Sequence, residues 1–142
     1  MFKIRKEQED AFLLHDEKAF VDFIIEHLRE EHYNYVSSMP DSMLVGMVSN
    51  GLTRARSHGL TDPENLTAFV ALMFVMAPNF DEHPVFQKIL DDESIPVDQR
   101  LDRLLIDELN SCWEEAEKNY NGDAWFPELQ DEEEDEDAKD EE

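Results

Sequence analysis

The chain has 142 residues, enough for one core, and carries 36 aspartates and glutamates against 12 lysines and arginines, a formal net charge of -24 with a pI of about 4.3. Such a field repels nucleic acid and anionic lipid and draws in basic proteins or cations, so direct nucleic-acid binding is excluded for want of a basic patch. A single cysteine, Cys112, excludes an internal disulfide and a multi-cysteine zinc site.

The acidity is not confined to one end. Residues 131–142 hold ten acids and one lysine, a charge of -9, which leaves -15 over residues 1–130. The basic start, residues 1–6, has no apolar stretch behind it, so no secretory signal is expected. The longest apolar run, residues 68–77, falls well short of the roughly 20 residues a bilayer span requires. The expectation is a cytoplasmic protein with no membrane contact, the apolar run being a buried helix.

A short helix is expected over residues 3–14. Asp16 is placed to cap the next one, in which Phe20, Phe23, Ile24, His27 and Leu28 recur at three- and four-residue spacing and line one face. That helix should run to residues 33–36, ahead of Pro40. From Asp41 the stripe Leu44, Met47, Val48, Gly51, Leu52 and Ala55 marks a second helix. Gly59 follows where a left-handed C-terminal cap belongs. Thr61 and Glu64 have capping-box spacing, with Pro63 in the first turn, where a missing N–H costs nothing. They open the central apolar helix, with Phe69, Leu72, Met73 and Val75 expected in the core and Pro78 as its stop.

Residues 79–83 read as a polar turn anchored by Phe80, and Pro84 starts a short helix bearing Val85, Phe86, Ile89 and Leu90. Residues 91–94 form a loop. Pro96 then opens a last long helix whose stripe is Leu101, Leu104, Leu105, Glu108, Leu109, Cys112 and Ala116, with Trp113 adjacent. Asn121-Gly122 breaks it. No alternating strand pattern occurs. The fold class expected is all-α, a compact bundle of about five or six helices over residues 1–120, with residues 121–142 a disordered acidic tail.

Groups able to carry chemistry are scattered. His27 and His32 stand five apart, so a continuous helix puts them on different faces and denies them the i, i+4 pairing of a zincin helix. His15, His58 and His83 fall at helix ends or turns, where histidines cap carbonyls or face water. Asp91-Asp92-Glu93 and the acidic tail lack the spacing of an EF-hand loop. No catalytic residues, cofactor or metal ligands are therefore assigned, and Glu108 is expected as a core-edge acid paired with an arginine.

Arg54 and Arg56 form the one basic cluster of the body, and their first explanation is pairing with acids of a neighbouring helix. Trp125, Phe126 and Leu129 beside the acidic run are the strongest binding feature, aromatic anchors flanked by charge that steers. They fit equally a strap folded back over the core. Arg54, Arg56, Trp125, Phe126 and Leu129 are thus the candidate partner-binding residues.

Several phrases taken together carry a resemblance: Ile4-Arg5-Lys6-Glu7-Gln8; residues 23–32 with Glu26-His27-Leu28-Arg29-Glu30; and residues 51–61, reading G-L-T-R-A-R-S-H-G-L-T. Met73-Phe74, Ala77-Pro78-Asn79-Phe80-Asp81, Ile89-Leu90-Asp91-Asp92 on to Pro96, and Arg100-Leu101-Asp102-Arg103-Leu104 continue it. In this order, over about residues 1–110, the chain resembles short helical proteins encoded in bacterial type VI secretion clusters beside spike-tip or lysozyme-like cargo genes. The resemblance carries no catalytic signature. It implies a cytosolic adaptor, chaperone or immunity-type partner of a secreted toxin. A non-catalytic module that binds a protein with a basic face is the resulting expectation. A DNA-mimicking inhibitor and a small hydrolytic or metal-dependent enzyme stand as alternatives.

Overall fold

The computed structural model describes residues 17–129, so the helix expected over 3–14, the Asp16 cap and the tail over 131–142 lie outside the described residues. Every element is helical. In chain order they are α1 (Glu17–Glu31), α2 (Tyr33–Val36), α3 (Asp41–Ser57), α4 (Pro63–Val75), a 3-10 turn (Phe80–Glu82), α5 (Pro84–Leu90), α6 (Val97–Arg103), a second 3-10 turn (Asp107–Leu109), α7 (Asn110–Lys118) and a third (Gly122–Trp125). No strand occurs among the described residues.

The centre is α3 against α4, with α1 laid on α3. All six residues of the expected α3 stripe are buried, from Leu44 to Ala55. On α1 the buried set is Phe20, Val21, Ile24 and Leu28, with Phe23 and His27 only half-buried, so the helix is turned about one position from the expected face. Gly59 closes α3 at φ +84°, a conformation in which a Cβ would clash with the backbone, while its N–H donates to the Arg56 carbonyl at 2.9 Å.

Two expectations for α4 need correction. Its cap is Asp62, not Thr61: the Asp62 carboxylate accepts the Asn65 N–H at 3.2 Å, and Pro63 takes the first helical position. A carboxylate at that end is also favoured by the helix dipole. Secondly, Phe69 and Met73 are buried as expected, but Leu72 and Val75 are half-buried. An apolar run cannot face inwards on every side when one side of the helix is left uncovered by the described residues.

After α4 the chain turns sharply and sends Phe80, fully buried, between Phe69 and Trp113 at ring-centroid distances of 4.8 and 5.3 Å. Phe86 from α5 completes the cluster 4.3 Å from Trp113. This aromatic centre explains why the expected last long helix is broken. A continuous helix puts Leu105, Glu108 and Leu109 on the core side, whereas Leu105, Ile106 and Glu108 are exposed and Leu101, Leu104, Trp113 and Ala116 are buried. The break frees the Leu104 carbonyl, and the Trp113 indole N–H donates to it at 2.7 Å, satisfying both groups inside the core. Glu108 is therefore not a core-edge acid.

The boundary at residue 120 also shifts. Residues 122–129 are helical turns packed on the body: Trp125 is buried against Phe74 at 4.5 Å, and its carbonyl accepts the Asn50 amide at 2.8 Å. Phe126 lies over Gly46, where a Cβ would stand 3.2 Å from the ring, so the glycine makes room for it.

Candidate functional site

Three places gather chemistry. The first is the junction of α3 with the turn after α4. Arg54 donates to both carboxylate oxygens of Asp81, Nε at 2.9 and 3.0 Å and Nη2 at 2.7 Å, and reaches Glu82 at 2.8 Å. His58, one turn on, places Nε2 2.7 Å from the other face of Asp81. Asp81 is the one charged residue in the core of the described region, 4% exposed. Burial alone raises its pKa, but the hydrogen bonds from His58 and Arg54 and the Arg54 charge outweigh it and hold the carboxyl below the usual range. Both its oxygens are occupied by Arg54 and His58, so the cluster works as a clasp between two segments. Neither Asp81 nor Glu82 stood out in the sequence, because they lie 27 and 28 residues from Arg54; a charged pair beside the buried Phe80 was the signal available.

The second is formed by His83, Cys112 and Glu115, whose ligand-type atoms lie within 4.8 Å of one another. His83 Nε2 is 3.0 Å from Glu115 Oε1, while its Nδ1 accepts the Val85 N–H at 3.2 Å and so caps α5. That cap fixes the neutral tautomer with the proton on Nε2, donated to Glu115. A metal at Nε2 requires the ring to give up that proton while its other nitrogen stays occupied as an acceptor. The local hydrogen bonding opposes ligation there.

The third is a groove of about 550 Å³ along the outward face of α4. Ala68, Leu72 and Val75 form its floor, His27, Glu31 and His32 one wall, and Leu105 the other. It adjoins a second depression of about 310 Å³ that shares Ala68 and Leu105 and is bordered by Asp62, Glu64, Asp98 and Asp102. The half-buried Leu72 and Val75 are its apolar surface. His27 and His32 also need a correction here: their rings meet edge to face with centroids 5.6 Å apart. The chain leaves the helix at His32 (φ -134°), which swings that ring back over α1. Burial, and next the neighbouring His32, lower the His27 pKa below its ordinary value, with Glu31 opposing.

The five residues singled out from the sequence do not form one surface. Arg54 is inside the clasp, and Arg56 spans to Glu17 of α1 with two bonds of 2.9 and 3.1 Å, the inter-helix pairing expected. Trp125 belongs to the core, Phe126 is half-buried, and Leu129 remains 47% exposed. Of the two readings of the aromatic island, the packed strap describes Trp125. No family model, curated protein or solved structure matches this chain.

Proposed function

We propose that this protein is a non-catalytic protein-binding module whose acidic helical surface engages a partner with a basic face. The observation that carries the reading is where the cations sit. Arg29 pairs with Asp41, Arg54 with Asp81 and Glu82, and Arg56 with Glu17. Arg100 donates to the carbonyls of Ile95 and Leu90 at 2.9 and 3.1 Å. With four of the five arginines among the described residues, all but the exposed Arg103, tying elements together, the body turns most of its carboxylates to solvent uncompensated. A field of that sign gathers basic partners and speeds their encounter. The -9 of residues 131–142 adds to the same field.

The resemblance to helical proteins of type VI secretion clusters gives the reading its setting: a cytoplasmic adaptor, chaperone or immunity-type partner of secreted cargo. Co-purification of the tagged protein from its own host, with captured proteins identified by mass spectrometry and released by a salt gradient, tests it. The expected result is a partner with a basic face that elutes at moderate salt. Capture of acidic partners, or of none that salt releases, overturns the reading. The same uncompensated acids on a folded body are what a DNA-mimicking inhibitor requires; competition of the captured partner by duplex DNA separates that role from cargo binding.

A further inference from the structure

The clasp at Asp81 is closed on itself and the imidazole of the His83 group is committed to its cap, so neither is open to a ligand. The groove on α4 is different. Together with the adjoining depression it follows α4 from Glu64 to Val75, about 16 Å at 1.5 Å per residue, the length of three helical turns. One end is floored by the apolar Leu72 and Val75 beside a wall of His27, Glu31 and His32; the other is bordered by Asp62, Glu64, Asp98 and Asp102, and Leu105 lines both. No lysine or arginine among the described residues forms an ion pair with any of those four carboxylates. Leu105, which forms one wall, and Ile106 next to it stand 47% and 44% exposed in the break between α6 and the following turn, apolar side chains held outward by the Trp113–Leu104 bond behind them.

Resting on the reading above, we infer that this groove is the docking site of an amphipathic basic helix from the partner, its leucine-type face on Leu72, Val75 and Leu105 and its lysines or arginines on Glu64, Asp98 and Asp102. Helices in bundles commonly bind a further helix in this manner, through anchors one turn apart in a groove between two others. Charge decides the occupant. An apolar surface alone accepts any apolar helix, but a row of carboxylates at one end rejects acidic ones and gives the bound helix a direction. A second copy of this chain is disfavoured as occupant because each copy carries -24.

The test uses the full chain and three labelled synthetic peptides of about 14 residues, some four turns at 3.6 residues each. One is patterned from leucine and lysine at helical spacing, one replaces leucine by serine, and one replaces lysine by glutamate. Fluorescence anisotropy at low and physiological salt gives the affinities. The leucine–lysine peptide should bind at least about tenfold more tightly than either control, the loss expected when a central anchor is removed. Leu105→Glu should weaken it by a similar factor. That side chain is exposed, so the fold, checked by circular dichroism, is not at stake. The double variant Asp98→Asn, Asp102→Asn should weaken it at low salt and approach the parent as salt screens the pairs.

Each other outcome decides against the inference. Equal binding of the serine–lysine peptide, untouched by Leu105→Glu, removes the groove but leaves the basic-partner reading standing. No binding of either cationic peptide removes both. Equal binding of the leucine–glutamate peptide refutes the charge argument. Self-association in sedimentation that Leu105→Glu abolishes makes the occupant a second copy.

Discussion

Replacing Asp81 by asparagine tests the clasp with almost no change of shape. In the parent the carboxylate accepts from Arg54 on one side and from His58 on the other, at 4% exposure. Asparagine keeps one acceptor oxygen, which Arg54 will claim, and turns an amide N–H₂ towards His58. His58 can accept that bond only by moving its ring proton to Nδ1, on the side of Asp91 at 3.9 Å. Removing one partner of a buried ion pair costs about 3–5 kcal/mol, because the other charge stays behind uncompensated. Here Glu82 still holds Arg54, whose side chain is 20% exposed, so the loss should be smaller, about 2–3 kcal/mol. Asp81→Leu, which leaves no acceptor, should cost the full range. At roughly 4 °C per kcal/mol for a domain of this size, the asparagine variant should melt about 10 °C lower.

The dependence on pH supplies the sign. The folded state holds the Asp81 pKa below its unfolded value of about 3.9, so its contribution is fully present above that pH and is lost as pH falls through the folded pKa. Urea unfolding of both proteins from pH 7 down to pH 3 should show the gap constant at first and narrowing only at the acid end. A gap under about 0.5 kcal/mol at pH 7, within the range of ordinary surface changes, refutes the clasp as a stabilising element. A gap that does not narrow in acid shows that shape, not charge, sets the cost.

The remaining expectations concern packing, backbone and steering. Phe80→Ala should cost about 3–5 kcal/mol in denaturant unfolding, since the ring is the hub of the aromatic cluster, whereas the half-buried Leu72→Ala should cost only about 1–2. Gly59→Ala should cost about 1 kcal/mol by forcing a side chain into the left-handed region, readable as a lower urea midpoint with unchanged slope. Truncation after Gln130 should slow association with a basic partner more than it speeds dissociation. In stopped-flow the difference should shrink as the screening length falls to about 8 Å at physiological salt.

What the sequence displayed and what it hid divide along a physical line. The α3 stripe, the Gly59 cap, the Pro63 start and the Phe80 anchor were legible because each is decided within a few residues: helical periodicity, a positive φ, a missing N–H, one large ring in a polar turn. The break after Leu104 was not. The stripe Leu101, Leu104, Leu105, Leu109 and Cys112 is good helix, and only the distant aromatic cluster, by recruiting Trp113, makes the broken path better. The exposed faces of Leu72 and Val75 were hidden for a related reason: an all-apolar run has no polar side to reveal which way it points. The Asp81 clasp joins residues 23 to 27 apart, a separation at which local patterns carry no information.

The break after Leu104 and the exposed face of α4 are linked. Had α6 continued through Leu109, Leu105 would have packed inward and the outward face of α4 would have met a continuous helix. Because Trp113 pulls the chain back at Leu104, Leu105 is left as one wall of an open groove beside Asp98 and Asp102. The indole bond to the Leu104 carbonyl therefore settles both the core and the shape of the surface opposite it. A sequence with phenylalanine at position 113 would keep the ring's packing but lose that bond, leaving the carbonyl without the indole donor at a cost of about 1–3 kcal/mol. The helix break, and the groove it leaves, rest on a hydrogen bond formed on the far side of the chain from the surface it shapes.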